Sequence, residues 1–239
     1  MRGCKIKQGV VTPVACPVAK ESPVWRYTRH FPMDHSWLGN HILKQYQADL
    51  SAGSLLLPES RIVVGLLLHG VEGAAWDHAL RVDNVLQKSS PATAVRQARL
   101  IRLRLESIDS SVWSVIRDGD KETATQLLFA AALRHSELLK DFLREVVVDH
   151  VRRFEGTLSV KAWEPFLHDC ASRDPAVATW SDSTRKKLLQ VIVRILAEAR
   201  YLESTISLRL LQPHLNPAVR KALMEAGEGQ LVPMMELHA

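Results

Sequence analysis

The sequence reads as a mostly α-helical protein built of two helical modules, with helix-turn-helix and winged-helix-like features and minor β. Three observations predict this. From His41 onward, apolar residues recur at the three-to-four-residue spacing of a helix. Helix-starting residues recur as well: Ser90-Pro91, Asp120, Ser136, Asp174-Pro175, Ser183 and Asn216-Pro217. Period-two alternation is confined to one short stretch, where Ile206, Leu208 and Leu210 alternate with Ser207 and Arg209. With 239 residues, 46% apolar and 24% charged, the chain can bury a substantial core.

Residues 1–40 lack a hydrophobic period and contain Pro13, Pro17, Pro23 and Pro32, so they read as an irregular arm whose removal leaves the fold intact. An amphipathic helix is expected over 41–52. Pro58-Glu59-Ser60 opens the next, which Gly70 stops. Gly73 to Leu86 follows, with Trp76, Leu80 and Val85 as core positions. Ser90 caps a helix from Pro91 to about Ile108, and Asp120 caps another from Lys121 to about Arg134. Ser136 starts a helix reaching Phe154, and Gly156 breaks it. Val160 to Ser172 is helical around Trp163, Phe166 and Leu167. A short helix runs from Asp174-Pro175 to Trp180, and Ser183 caps a long one to about Tyr201. The alternating 206–210 stretch reads as a strand, Asn216-Pro217 starts a helix to Ala226, and LVPMMEL reads as a second edge strand. The domain expectation is an arm at 1–40, an N-terminal helical domain at 41–155 with a helix-turn-helix-like unit, and a C-terminal winged-helix-like domain at 156–239.

Composition and motifs narrow the function. Net charge is +5, but residues 1–40 carry six bases against two acids, so the remainder is nearly neutral. Overall charge therefore does not argue for nucleic acid, and only local basic faces can. Cys4, Cys16 and Cys170 are an odd set without a Cys-x-x-Cys pair, which fits a reduced cytoplasmic protein. The longest apolar run, IVVGLLLHGV at 62–71, is too short to span a bilayer, so no membrane insertion is expected. No phosphate-binding glycine loop, dinucleotide fingerprint, G-x-S-x-G elbow or H-E-x-x-H pair occurs. His30, His35 and His41, near Cys4 and Cys16 in sequence, lack the tight paired spacing of zinc ligands. Glu137, Asp141, Glu145 and Asp149 recur every four residues, which reads as a solvated helix face with Lys140 and Arg144 in pairing reach. The expectation is a non-enzyme with no cofactor and no metal.

Two helices carry the remaining signal. In the segment from Pro91, Ala94, Ala98, Ile101, Leu105 and Ile108 form one apolar stripe, with Arg96 and Arg99 opposite and Arg102 and Arg104 flanking. A helix of this kind, preceded by a helix and a short turn, can lay its N-terminal half in a major groove. The alternative is an arginine face held in solvent or salt bridges. Leu100 and Leu103 also lie toward the arginine side, which suits a helix covered on two sides. In the second helix, Thr184, Arg185, Lys186 and Lys187 cluster in the first turns, while Leu188, Val191, Ile192, Ile195 and Leu196 point to a core. Bases at a helix N-terminus oppose the dipole, which hints at an anionic partner. A solvated cluster neutralised by Asp182 is the competing reading.

Several segments together carry a resemblance: GSLLLPESR at 53–61, VLQKSSPATAVRQARLIRLRLE at 85–106, IRDGD at 116–120 and WSDSTRKKL at 180–188. In order and spacing they resemble the BrxA family, small helical proteins of the BREX bacteriophage-exclusion systems, from about residue 41 to the C-terminus. The resemblance implies a non-catalytic component of a defence locus that also encodes a methyltransferase, an ATPase and a phosphatase-like protein. It further implies helix-turn-helix features with double-stranded DNA binding, and a likeness to RNA-binding antitermination factors. The expected partner is therefore double-stranded DNA, with the other BREX proteins as further partners. The nucleic-acid-binding residues would be Arg96, Arg99, Arg102 and Arg104 on one surface, and Thr184, Arg185, Lys186 and Lys187 on the other. The rival reading is a protein–protein adaptor using the Leu100 and Leu103 face; RNA binding is a third.

Overall fold

Ser90, Asp120, Ser136, Asp174, Ser181 and Asn216 each place a side-chain oxygen on a backbone N–H of the turn that follows, and so start a helix. The computed structural model describes residues 46–237. The arm at 1–40, its truncation, and the histidines and cysteines within it lie outside those residues. A 3-10 helix, Ala48–Ala52, replaces the described part of the expected 41–52 helix and ends at Gly53. Then come α1 (Leu57–Leu68), α2 (Gly73–Arg81), α3 (Pro91–Glu106), α4 (Trp113–Asp118) and α5 (Lys121–His135). Next, α6 (Glu137–Asp141) runs through a π-helical turn, Phe142–Val147, into α7 (Val148–Arg152). The C-terminal part holds α8 (Trp163–Arg173), a 3-10 turn (Pro175–Thr179), α9 (Asp182–Glu198), α10 (Pro217–Glu225) and α11 (Leu231–Met235).

Four elements differ from expectation. Ser181, not Ser183, caps α9, because its Oγ accepts from the Thr184 N–H. The helix α4 carries no readable period in its six residues, yet Ile116 is buried and Gly119 ends the element. A side chain at Gly119 would put Cβ 2.5 Å from the Val115 carbonyl oxygen, and the Gly119 carbonyl accepts from Arg61. The LVPMMEL run is helical rather than an edge strand. Pro233 sits in the first turn, where its missing N–H is not needed, and Leu231, Val232 and Met235 are buried on one side. The 206–210 strand shrinks to isolated antiparallel bridges, Thr157 with Arg209 and Leu202 with Leu210.

At the centre lies α5. Phe129 through Leu133 are fully buried, and α1, α3, α4, α10 and α11 all pack on this helix. The alanines at 130–132 let those neighbours approach closely, and a helix covered all round needs no amphipathic stripe. Buried residues from both sides of Gly156 join one cluster that includes Ile101, Phe142, Trp163 and Leu196. Among the described residues no helix is long and apolar enough to cross a membrane.

Two polar networks cross this core. In one, Tyr46 Oη donates to Asp141 Oδ2 at 2.6 Å, and the Tyr46 N–H donates to Asp174. Arg144 and Arg173 also donate to Asp141, and Arg173 forks onto Glu145 while lying over the Tyr46 ring. Asp141 is thus a buried hub, and the carboxylate row is not the uniformly solvated face expected of it. Cys170 lies beside this network, and burial pushes its thiol up to about 11.

The second network anchors residues 49–55. Asp49 meets His135 Nε2 at 2.7 Å. Burial pushes the Asp49 carboxyl up, but the hydrogen bond and charge of His135, the Leu50 N–H and nearby Arg104 together hold it below the usual 3.8. A carboxyl lowered by folding adds stability above its unfolded value, and that stability is lost as pH falls through the folded value. The Asp49→Asn protein is therefore expected to be less stable near neutral pH and to show a shallower acid limb below about pH 4. Urea midpoints at about pH 7 and about pH 3 check this; an unchanged difference between them would contradict it.

Candidate nucleic-acid interface

The turn before α3 is built from local bonds. Asn84 brackets Lys88 by accepting from its N–H and donating to its carbonyl, both at 2.9 Å, and Lys88 Nζ pairs with Glu59. This fixes Ser90, whose Oγ accepts from the Thr93 N–H at 3.2 Å. The stripe Ala94, Ala98, Ile101, Leu105 and Ile108 is buried as its spacing requires.

The four arginines of α3 part company. Arg96 and Arg99 are exposed and have no partner among the described residues. Arg102 lies 5.1 Å over the Trp76 ring and pairs with Glu106 at 2.6 Å and Glu72 at 3.6 Å. Its charge is engaged on the protein itself. Arg104 corrects the expectation outright: it is 3% exposed, and its guanidinium donates to the Ser54 and Gly53 carbonyls. At about 100° per residue it lies about 80° from the centre of the apolar stripe, inside the wide arc that α1, α2, α5 and the 48–52 turn cover. Burial lowers its pKa to about 10, with Asp49 and Glu198 acting in the opposite sense, so it stays charged at neutral pH. Leu100 is also covered, at 2% exposure, whereas Leu103 is 38% exposed.

On α9 the predicted cluster also divides. Thr184 Oγ1 joins the cap, 3.0 Å from Ser181 Oγ, which also contacts Ser183 Oγ. Arg185 reaches back to Glu164 at 3.3 Å. Lys186 and Lys187 are exposed and unpartnered among the described residues. Leu188, Val191, Ile192, Ile195 and Leu196 are all buried, so the helix is held along its length while its first turns face out.

The sequence offered a short helix before α9 and a strand after it, but not the pairing that closes them together. The extended residues 156–158 precede α8 and pair with 208–210: Leu158 N–H donates to Leu208 O at 2.8 Å, and Leu210 N–H to Gly156 O at 3.0 Å. After α9 the chain doubles back, with Glu203 N–H on Arg209 O at 2.9 Å. The intervening turn carries Ile206, 92% exposed, and exposed Arg209 facing Glu203 at 3.6 Å. The alternation at 206–210 was the one available signal for this turn.

A family model described as BrxA matches residues 44–227. A protein named BREX protein BrxA from Paramagnetospirillum magneticum is 44% identical over 193 residues, which is 81% of this chain and 97% of that one. Another of the same name from Escherichia coli O9:H4 is 36% identical, covering 85% of this chain and 91% of its own. The crystal structure of an uncharacterized protein from Magnetospirillum magneticum superposes with a TM-score of 0.74 at 41% identity, over 81% of this chain and 99% of the other.

Proposed function

The chain belongs to the BrxA family, and from that premise we propose that it is a non-catalytic, double-stranded-DNA-binding component of a BREX phage-defence system, working in the cytoplasm beside the other BREX proteins. The observation that carries this is a pair of exposed cations, without partners among the described residues, on each of two long, capped helices: Arg96 and Arg99 on α3, Lys186 and Lys187 on α9. Held rigidly by a buried stripe, such side chains meet phosphate without reordering the helix. Thr184 and Arg185 border the α9 pair. Arg102 is a flanking residue already engaged, and Arg104 is left out because it is buried.

The order of elements after Gly156 supports reading residues 156–239 as a winged helix: an extended segment, α8, a turn, α9, then a doubled-back turn that pairs with the first segment. Residues 41–155, with α2, its turn and α3, supply the second module. A protein-adaptor reading is favoured by one feature, the large apolar side chains left in solvent, Phe154 at 95% and Ile206 at 92% exposure. It can no longer rest on Leu100.

Anisotropy titration of duplex DNA at several salt concentrations tests the proposal. Arg96→Ala/Arg99→Ala and Lys186→Ala/Lys187→Ala are each expected to weaken binding on any sequence. Each should also flatten the log–log salt slope by about 1.8, since every lost phosphate contact removes about 0.9. Unchanged affinity and slope in both double variants, with helical circular dichroism intact, would overturn the DNA reading and favour the adaptor.

A further inference from the structure

A cleft of about 1010 Å³ opens among the described residues where the start of α1, the first turns of α5 and the end of α9 meet. Leu56, Leu57 and Ala197 give it an apolar wall, and its charged lining holds three cations, Lys121, Arg194 and Arg200, and three acids, Glu59, Glu122 and Glu198. None of these three cations has a hydrogen-bond or ion-pair partner among the described residues. Two of the acids already have partners other than these cations. Glu59 is held by Lys88. Glu198, the natural i+4 partner of Arg194, accepts instead from Ser54 Oγ at 2.8 Å and the Leu55 N–H at 2.9 Å. Glu122 remains, 3.5 Å from Gln126 Nε2.

The backbone of the cleft is itself unusual. Leu56, with φ 52°, and Arg200, with φ 66°, are both left-handed. At the end of a helix that conformation normally goes to glycine. Holding an unpaired arginine at that position points to a use for its charge.

The geometry points to a binding site for a phosphorylated small molecule of nucleotide size. Its phosphates would lie among Lys121, Arg194 and Arg200, and its organic body against Leu56, Leu57 and Ala197. A cleft of this volume suits such a ligand. Arg194 also lies eight residues along α9 from Lys186, about 12 Å of helix, so the cleft is separate from the proposed DNA-facing turns.

Calorimetry on the full chain, with ADP, pyrophosphate and adenosine as probes in low salt, tests this. ADP is expected to bind, pyrophosphate to bind more weakly and adenosine not to bind. Arg194→Ala should weaken ADP about ten- to a hundredfold, the loss of one charge-assisted contact. Arg200→Gly should weaken it similarly while raising the melting temperature of the free protein by about 2–4 °C, because the left-handed backbone is relieved. Both variants should keep wild-type affinity for duplex DNA. The proposal is overturned if neither ADP nor pyrophosphate binds at millimolar concentration, or if the variants leave ADP binding unchanged. It is equally overturned if duplex affinity falls with the same substitutions, because the cleft would then belong to the DNA surface.

Discussion

Arg104→Ala is expected to cost about 3–5 kcal/mol of stability, the usual loss when one partner leaves a buried charged network. The guanidinium is 3% exposed and satisfies the carbonyls of Ser54 and Gly53. It is also the buried cation that Asp49 and Glu198 face. Truncation strands one buried acceptor, the Ser54 carbonyl, at about 1–3 kcal/mol, leaves the half-buried Gly53 carbonyl without its donor, and removes the countercharge of both acids. Urea unfolding of the variant measures the loss. Its duplex affinity, measured where the variant is still folded, should match wild type. Wild-type stability with lost DNA binding would reverse the assignment and return Arg104 to the surface. Arg104→Lys should recover little, since one ammonium cannot reproduce the fork that reaches two carbonyls.

Asp141→Ala is expected to destabilise by about 2–4 kcal/mol. Three donors converge on this carboxylate: Tyr46 Oη at 2.6 Å, Arg144 at 2.8 Å and Arg173 at 3.3 Å. The loss stays below that of a fully isolated buried pair because both arginines keep Glu145. Asp141→Asn, which can still accept from Tyr46, should lose markedly less than the alanine variant. Tyr46→Phe in the Asp141→Ala background should add little, because the hydroxyl would already lack its acceptor. Equal losses in the alanine and asparagine variants would show that charge, not the Tyr46 hydrogen bond, carries the interaction. Thermal or urea midpoints of the four proteins decide between these outcomes.

Most helix starts were legible because a cap is a local device. Ser90, Asp120, Ser136 and Asn216 act on amides two or three residues away, so no distant contact is needed to read them. The apolar stripes of α3 and α9 were legible for the same reason: spacing alone decides which side chains share a face. What spacing cannot supply is the width of the arc that neighbours cover. Arg102 and Arg104 both flank the α3 stripe, yet one is held at the surface by Trp76 and Glu106 and the other is buried under residues 53–54. Only the path of a segment some fifty residues away separates them. The LVPMMEL run failed for a related reason: a short apolar segment fits either period, and packing on α5 and α10 selects the helix.

By itself, then, the sequence determined the mostly helical character, the capped starts of α3 and α9, their buried stripes and the membership in the BrxA family, all of which depend on neighbours in the chain or on residue order. Tertiary structure decided which charges are free. Among the described residues Arg96, Arg99, Lys186 and Lys187 stay unpaired, while Arg104 and Asp141 are drawn into buried networks with partners about fifty and ninety-five residues distant. The physical reason is desolvation. A charge is removed from water only where folding brings enough hydrogen-bond partners around it, and those partners come from elements that no local pattern places side by side.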